Sequence, residues 1–348
     1  MISPSKEDLL QKIEKAIEKA INYLVEHQLA SGEFATYMSP DAAMQEWCVP
    51  ESNTGFTAEI GNCLIPFQDN PLVDKLLTKS TNYLSYQDVR GGIWQFYAKW
   101  HPKFKILPPD VDDTALVCNF LRKRNVSYPD NIKTILLNRN KQGLFYTWFT
   151  LHSNFFKYSR KYWRLIAREL KAPISTFLYW TSATHRRNDI DLVINCNVVS
   201  YLGYNDITKP VVKHIIDEMI KNKGKIPDKW YLNEIVHYYF ISRLYDLDIP
   251  EVWDIKSLFE EKIKNAVNSS KNFQHCDLEI ALATTSLLKL NVIDPKIEEY
   301  VTLLLSRQAL TESGKGMNWL RVGRWFGVAR KLQPLIVLRL YICLKLRY

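Results

Sequence analysis

Asp110, Asp112 and Asp113 put three carboxylates within four residues, directly after Pro108-Pro109 and directly before the apolar run 116–121. The prolines cannot sit inside a helix, so the pattern predicts a helix starting here, with Asp110 as N-cap and Asp113 at its third position. One reading stops there, because carboxylates favour the positive end of a helix dipole. A second follows from crowding. Three carboxylates this close cannot all ionise cheaply, so at least one is pushed towards its protonated form, the more so in an apolar setting. A carboxylic acid kept protonated in a dry pocket is a Brønsted acid ready to act.

Such a group needs a pocket, and the composition supplies material for one. The chain has 348 residues, is 47% hydrophobic and carries 10 Trp, 19 Tyr and 15 Phe. An aromatic-rich core explains those counts, and so does a pocket walled with π-faces for a cation. With only 12 Gly, there is no glycine-rich phosphate loop. The net charge of +9 fits nucleic acid, an anionic membrane or an acidic small substrate, but no nucleic-acid module accompanies it. Cys48, Cys63, Cys118, Cys196, Cys276 and Cys343 are scattered, with no Cys-Xaa-Xaa-Cys, and read as reduced thiols. The polar start is no signal peptide and no run is long enough to span a bilayer, so a cytoplasmic protein is expected and the sequons at Asn125 and Asn268 are coincidental.

The elements that must position the carboxylates are helices, since no segment alternates convincingly as a strand. Amphipathic helices are expected near 7–28, 72–86, 129–138, 209–222, 254–270 and 295–308. More apolar ones are expected near 56–67, 111–123, 189–203, 231–245, 277–290 and 333–346. The turns between them share a pattern. Gln28 leads to Gly32-Glu33-Phe34, Gln87 to Gly92-Ile93-Trp94, Asn138 to Gly143-Leu144-Phe145 and Gln308 to Gly316-Met317-Asn318-Trp319. Six pairs of this kind close into one all-α (α/α)6 barrel over 1–348, with six apolar inner and six charged outer helices. The inner N-termini then converge at one mouth, with Asp112 at the rim of a central cavity.

The third unit departs from the repeat through a basic and aromatic insert at about 150–180. Its segment 155–168 reads either as a packed surface helix or as a membrane-interface helix beside the pocket. Asp189 and Asp191 start the next inner helix, Asp189 reading first as its N-cap. Asp191 and Asn195 share a helical face, which makes Asn195 a candidate partner for the acid or a structural hydrogen-bonder. His275-Cys276-Asp277 has no second half with zinc spacing and reads as a helix start.

Asp-Val-Asp-Asp-Thr-Ala at 110–115 resembles the acid motif of class II terpene cyclases, and the turns resemble degenerate Gln–Gly–Trp repeats of the terpene cyclases and protein prenyltransferases. The chain is most similar to the monodomain class II cyclases of cyanobacterial meroterpenoid pathways. That resemblance implies that Asp112 protonates an alkene and starts a cationic ring-closing cascade, with Asp110 and Asp113 tuning it. It implies a polyprenylated aromatic substrate, such as geranylgeranylated 4-hydroxybenzoate, and no metal, cofactor or obligate protein partner. Trp94, Tyr146, Trp148, Tyr179, Trp180, Trp230, Tyr238, Trp319 and Phe326 are the aromatics expected to shield the cations. Three alternatives remain: a prenyltransferase β-like subunit, whose zinc set cannot be assembled here; an inverting glycosidase using Asp112 and Asp191; and a non-catalytic, membrane-associated binding barrel.

Overall fold

The structure, a computed structural model, describes residues 4–38, 47, 49–181, 186–226, 230–231, 233–268, 277–312, 320–322 and 326–328. The helices run α1 Pro4–His27, α2 Gly55–Leu64, α3 Pro71–Tyr86, α4 Val111–Lys123, α5 Ile132–Leu137, α6 Arg160–Ile166 and α7 Pro173–Thr181. They continue as α8 Leu192–Leu202, α9 Lys209–Lys221, α10 Glu234–Ser242, α11 Lys256–Asn268, α12 Asp277–Lys289 and α13 Pro295–Glu312.

Burial divides them into two layers. Almost every residue of α4, α8 and α10 is buried, so these helices are apolar all round and must have neighbours on every side. By contrast α9 buries one stripe, Val211, Val212, Ile215 and Met219, at the spacing of a single helical face. The inner helices pack in the order α2, α4, α8, α10, α12. Outside them lie α1, α3, α5, α9, α11 and α13, and α1 meets α13, with Gln308 Nε2 donating to Ala16 O at 3.0 Å. The chain is all-α in this sense, with five inner and six outer helices described. The inner helix expected over 333–346 lies outside the described residues.

Two expectations need correction. Short strands do occur: β1 Thr36–Met38, β2 Val49–Glu51, β3 Leu320–Val322 and β4 Phe326–Val328 form an antiparallel sheet in the order β2-β1-β4-β3. At three residues each, they are too short to show the period-2 alternation by which a strand is read from sequence. The second concerns α5, which is shorter than expected because it begins only after Pro129 and Asp130, whose carboxylate accepts from Ile132 N at 3.0 Å.

Three of the four degenerate turns prove nearly superimposable in their bonding, and residues 316–319 of the fourth lie outside the described residues. Leu29 N bonds to Glu33 O at 3.0 Å, Val89 N to Ile93 O at 2.8 Å and Asn140 N to Leu144 O at 2.9 Å. In each, the residue before the acceptor is a glycine with positive φ, namely Gly32 at 94°, Gly92 at 79° and Gly143 at 86°. A Cβ at Gly92 would also fall on Pro129 O, so both conformation and space demand glycine there. Polar side chains then fasten the turns to their neighbours: Gln28 Nε2 donates to Leu76 O at 2.9 Å, and Trp94 Nε1 to Leu84 O at 2.7 Å. Among the described residues no helix is long and apolar enough to cross a membrane.

Candidate active site

The N-terminus of α4 carries the three carboxylates. Asp110 has extended backbone and its Oδ1 accepts from Asp113 N at 2.7 Å, the N-cap bond expected from the prolines and the spacing. Thr114 completes the turn, its hydroxyl donating to Asp110 O at 2.6 Å. Capping points the side chains of Asp110 and Asp113 into the protein, where both are buried. Their carboxyls hydrogen-bond each other, and Gly55 N–H donates to Asp113. Gly55, at the start of α2, packs so tightly that a Cβ there would fall on Asp113 Oδ1.

Burial sets the charge of this pair. Loss of water holds Asp110 well above the ordinary carboxylate range, with the negative charges of Asp113 and Asp112 adding to it. The same desolvation pushes Asp113 up to about 7, against the pull of its hydrogen bond from Asp110. The dipole of α4 favours ionisation by about 1 kcal/mol at most in ordinary settings, and desolvation outweighs it. The pair therefore holds a proton that isolated aspartates would have released.

Asp112 faces the other way and is half-buried. Asn197 Nδ2, from α8, donates to its Oδ1 at 2.7 Å, and the Tyr231 hydroxyl donates to its Oδ2 at 2.7 Å. An amide can flip, so what fixes Asn197 matters. Arg243 Nη1 donates to Asn197 Oδ1 at 3.3 Å and to Glu59 Oε2 at 3.2 Å, while the Tyr239 hydroxyl donates to Glu59 Oε1 at 2.7 Å. With its oxygen taken by a guanidinium, Asn197 can present only its NH₂ to Asp112. The network joins α2, α4, α8 and α10, four inner helices, around one carboxylate.

Four of the expected aromatics come together. Trp148 meets Tyr179, Trp180 and Trp230 edge-on, with ring centroids 5.9, 6.2 and 5.3 Å apart. The cluster adjoins the acid, because Asp110 and Trp148 form an antiparallel bridge and Tyr179 lies within the electrostatic reach of Asp110. Arg187 stacks over Trp180 at 4.7 Å and pairs with Glu169 at 2.9 Å, tying α7 to the turn before α8.

Other expectations fall elsewhere. Trp94 is wholly buried at its turn, Tyr146 stacks on His152 at 4.0 Å, and Tyr238 packs edge-on against Phe259 of the outer α11 with its hydroxyl on Gly224 O. Asn195 bonds both ways to the Phe145 backbone and to Asp191 O, so its polar atoms serve the turn; Asn197, two residues on, holds the acid. The N-cap of α8 is Asp191, accepting from Ile194 N at 3.0 Å, whereas Asp189 Oδ2 accepts from Arg186 N in the preceding turn. Asp277 pairs with Arg307 at 2.8 Å at the start of α12; His275 and Cys276 lie outside the described residues. So does Trp319, and so does the side chain of Phe326, which sits on β4. Among the described residues no group of three His, Cys, Asp or Glu could hold a metal.

No protein-family model matches the sequence, and comparison with curated proteins returns no match. Solved structures do match. A type II terpene cyclase variant, MstE from Scytonema in complex with geranylgeranyl dihydroxybenzoate, aligns with a TM-score of 0.67 at 12% identity, over 97% of this chain and 98% of that one. The chain has the type II terpene cyclase fold. A second MstE structure, with merosterolic acid A as product, aligns at 0.66 and 13% identity over 97% and 98% of the two chains. A protein from Actinoplanes aligns at 0.61 and 12% over 95% and 99%. On this terpene cyclase fold, Tyr231, Arg243 and Glu59 were missed from the sequence. Tyr231 stands alone before α10, and Glu59 and Arg243 look like any charges at helical spacing; no local signal marks them.

Proposed function

We propose that this chain is a class II terpene cyclase that protonates a polyprenyl chain and closes it into rings. The reading rests on one observation: Asp112, second acid of an Asp-Xaa-Asp-Asp motif at an inner-helix N-terminus, has a donor on each oxygen and a buried, proton-holding carboxyl pair beside it. In the proposed step the Asp112 O–H bond breaks, the proton adds to an alkene carbon, and the electron pair stays on the carboxylate. Asn197 and Tyr231 are aimed at the charge that then develops, which favours the transition state more than the ground state. Keeping Asp110 and Asp113 partly protonated spares Asp112 two adjacent negative charges. The cations pass beside Trp148, Tyr179, Trp180 and Trp230, whose π-faces stabilise positive charge. Loss of one proton from the last cation balances the one gained, so the product is an isomer of the substrate.

The substrate we propose is a polyprenylated aromatic acid, by analogy with the geranylgeranyl dihydroxybenzoate named for MstE. Incubation with geranylgeranyl dihydroxybenzoate and with geranylgeranylated 4-hydroxybenzoate tests it by mass spectrometry and NMR. A product of unchanged mass with fewer alkene signals is expected; recovery of both substrates unchanged refutes the reading. Protonation needs no divalent ion, so EDTA should leave the rate unaltered. We place the reaction within this one barrel.

A lipid-like substrate is collected from a bilayer, and we place the protein on the cytoplasmic side of one, where reduced Cys63, Cys118 and Cys196 are at home. The interface is not the segment 155–168 as a whole, because Tyr162 is wholly buried and bonds to Asn138 Oδ1 at 2.9 Å. It lies further on. Leu170, Ile174, Phe177 and Leu178 are 77%, 75%, 67% and 61% exposed and form one apolar stripe along α7 and the turn before it.

A further inference from the structure

Away from the acid, between the second repeat turn and the insert, lies an open cavity of about 310 Å³ lined by Arg90, Lys99, Arg164, Arg168 and Lys171, with Phe104 on its wall. Among the described residues no carboxylate lines it. The acids nearest in sequence are committed elsewhere: Asp88 accepts from Gly92 N and Ile93 N, and Glu169 is held by Arg187, Trp180 and Thr150. Two of the cations are anchored to neutral groups. Arg168 donates to Gln95 Oε1 at 2.9 Å and Phe104 O at 3.3 Å and lies over the Phe104 ring, and Lys99 donates to Tyr86 O at 2.5 Å. Arg90, Arg164 and Lys171 are exposed at the rim.

Asp88 lies within electrostatic reach of Lys99 and offsets part of its charge, but five cations against one carboxylate still repel one another, and an anion in the cavity relieves that cost. Arg164, Arg168 and Lys171 recur at helical spacing beside the apolar stripe of Leu170, Ile174, Phe177 and Leu178. Basic side chains at head-group height with apolar ones below them is the arrangement of an interfacial anchor. We propose that this cavity receives the phosphate of an anionic phospholipid head group, seated there as the exposed face of α7 enters the lipid; the proposal rests on the membrane reading above and adds a specific anion receptor to it.

Co-sedimentation with vesicles tests it. Three compositions are compared: phosphatidylcholine alone, and phosphatidylcholine mixed with phosphatidic acid or with phosphatidylserine at matched surface charge. The wild type should favour phosphatidic acid, whose phosphate is unencumbered. The exposed triple variant R90Q/R164Q/K171Q should lose that preference and bind on the order of 100-fold more weakly. K75Q/K79Q/K133Q, neutralising as many exposed cations elsewhere, should lose far less, and thermal melting shows that each variant folds. Equal losses in the two triples, or no preference between the anionic lipids, would mean diffuse surface charge and overturn the cavity. The third variant, I174S/F177S/L178S, separates the two readings. Loss of all vesicle binding there, with R90Q/R164Q/K171Q binding as wild type, removes the cavity and keeps the membrane reading; unchanged binding there removes both. Affinity for glycerol 3-phosphate in solution without vesicle binding would assign the site to a free phosphate and overturn the lipid.

Discussion

The inner helices α4 and α8 lie side by side and begin alike. Asp110 and Asp191 each have extended backbone, and each accepts from the backbone N–H three residues on, at 2.7 and 3.0 Å. There the likeness ends. After its cap α4 continues with Val111, Asp112 and Asp113, whereas α8 continues with Leu192, Val193 and Ile194. At α8 the acid caps a helix whose next three residues are all apolar. At α4 the same cap gathers a buried pair that holds a proton and turns a third carboxylate towards Asn197 of α8 and Tyr231, which precedes α10. A capping carboxylate is thus scaffold at both helices, and what sets α4 apart is the set of groups gathered around its cap.

The sharpest way to break this contrast is Asp112→Asn. The amide keeps the shape but cannot protonate an alkene, so turnover should fall roughly 10³-fold or more with the melting temperature unchanged. Near-normal turnover would reduce α4 to the status of α8. Next come the two asparagines of α8. Asn197→Ala removes one donor to Asp112 and should lower kcat about 10²-fold with little change in KM, with Tyr231→Phe affected similarly or less. Asn195→Ala should instead cost about 1–3 kcal/mol of stability, by orphaning the Phe145 turn, and leave kcat of the folded enzyme near normal. If Asn195→Ala proved the kinetic variant, the assignment of the two residues would be reversed.

The carboxyl pair makes a prediction about pH. Its folded-state affinity for protons exceeds that of unfolded aspartate, so its contribution to stability is fully present below the ordinary aspartate range and is lost as pH rises through about 7. Chemical denaturation between pH 4 and 8, as a rough bracket of that window, should show stability declining, and Asp113→Asn should flatten the decline. An unchanged slope would place the proton elsewhere. Gly55→Ala sharpens the same point, since its new Cβ strikes Asp113 Oδ1; it should lower both stability and turnover, whereas simple loss of helix-start flexibility would raise stability. The smallest effect belongs to α8. Asp191→Ala should cost about 1 kcal/mol in denaturant, the worth of a lost N-cap, with kcat retained.

Much of this was legible beforehand because it rests on local rules. Prolines, cap and apolar run located α4 correctly, and period alone separated the inner helices from the outer ones. The turns were visible through Gly32, Gly92 and Gly143, as positive φ leaves few other residues to choose from. Asn195 was singled out because it lies four residues after Asp191 and shares its helical face. Asn197 lies on another face of α8, and only the packing of α8 against α4 decides which face meets Asp112. The pocket aromatics were chosen by residue type, and which of them gather around Trp148 is set by packing between distant segments.

The sequence by itself determined that the chain is helical, that a helix begins at Asp110 and that three carboxylates crowd its N-terminus, since capping, period and charge repulsion act within a few residues. Only the tertiary structure decided which carboxyls stay protonated and which one meets donors. Asp113 is desolvated where Gly55 of α2 packs on it, and Asp110 is buried beside Trp148. The Asn197, Tyr231, Arg243 and Glu59 network around Asp112 is assembled from residues up to 184 positions apart, a distance over which no sequence periodicity carries information.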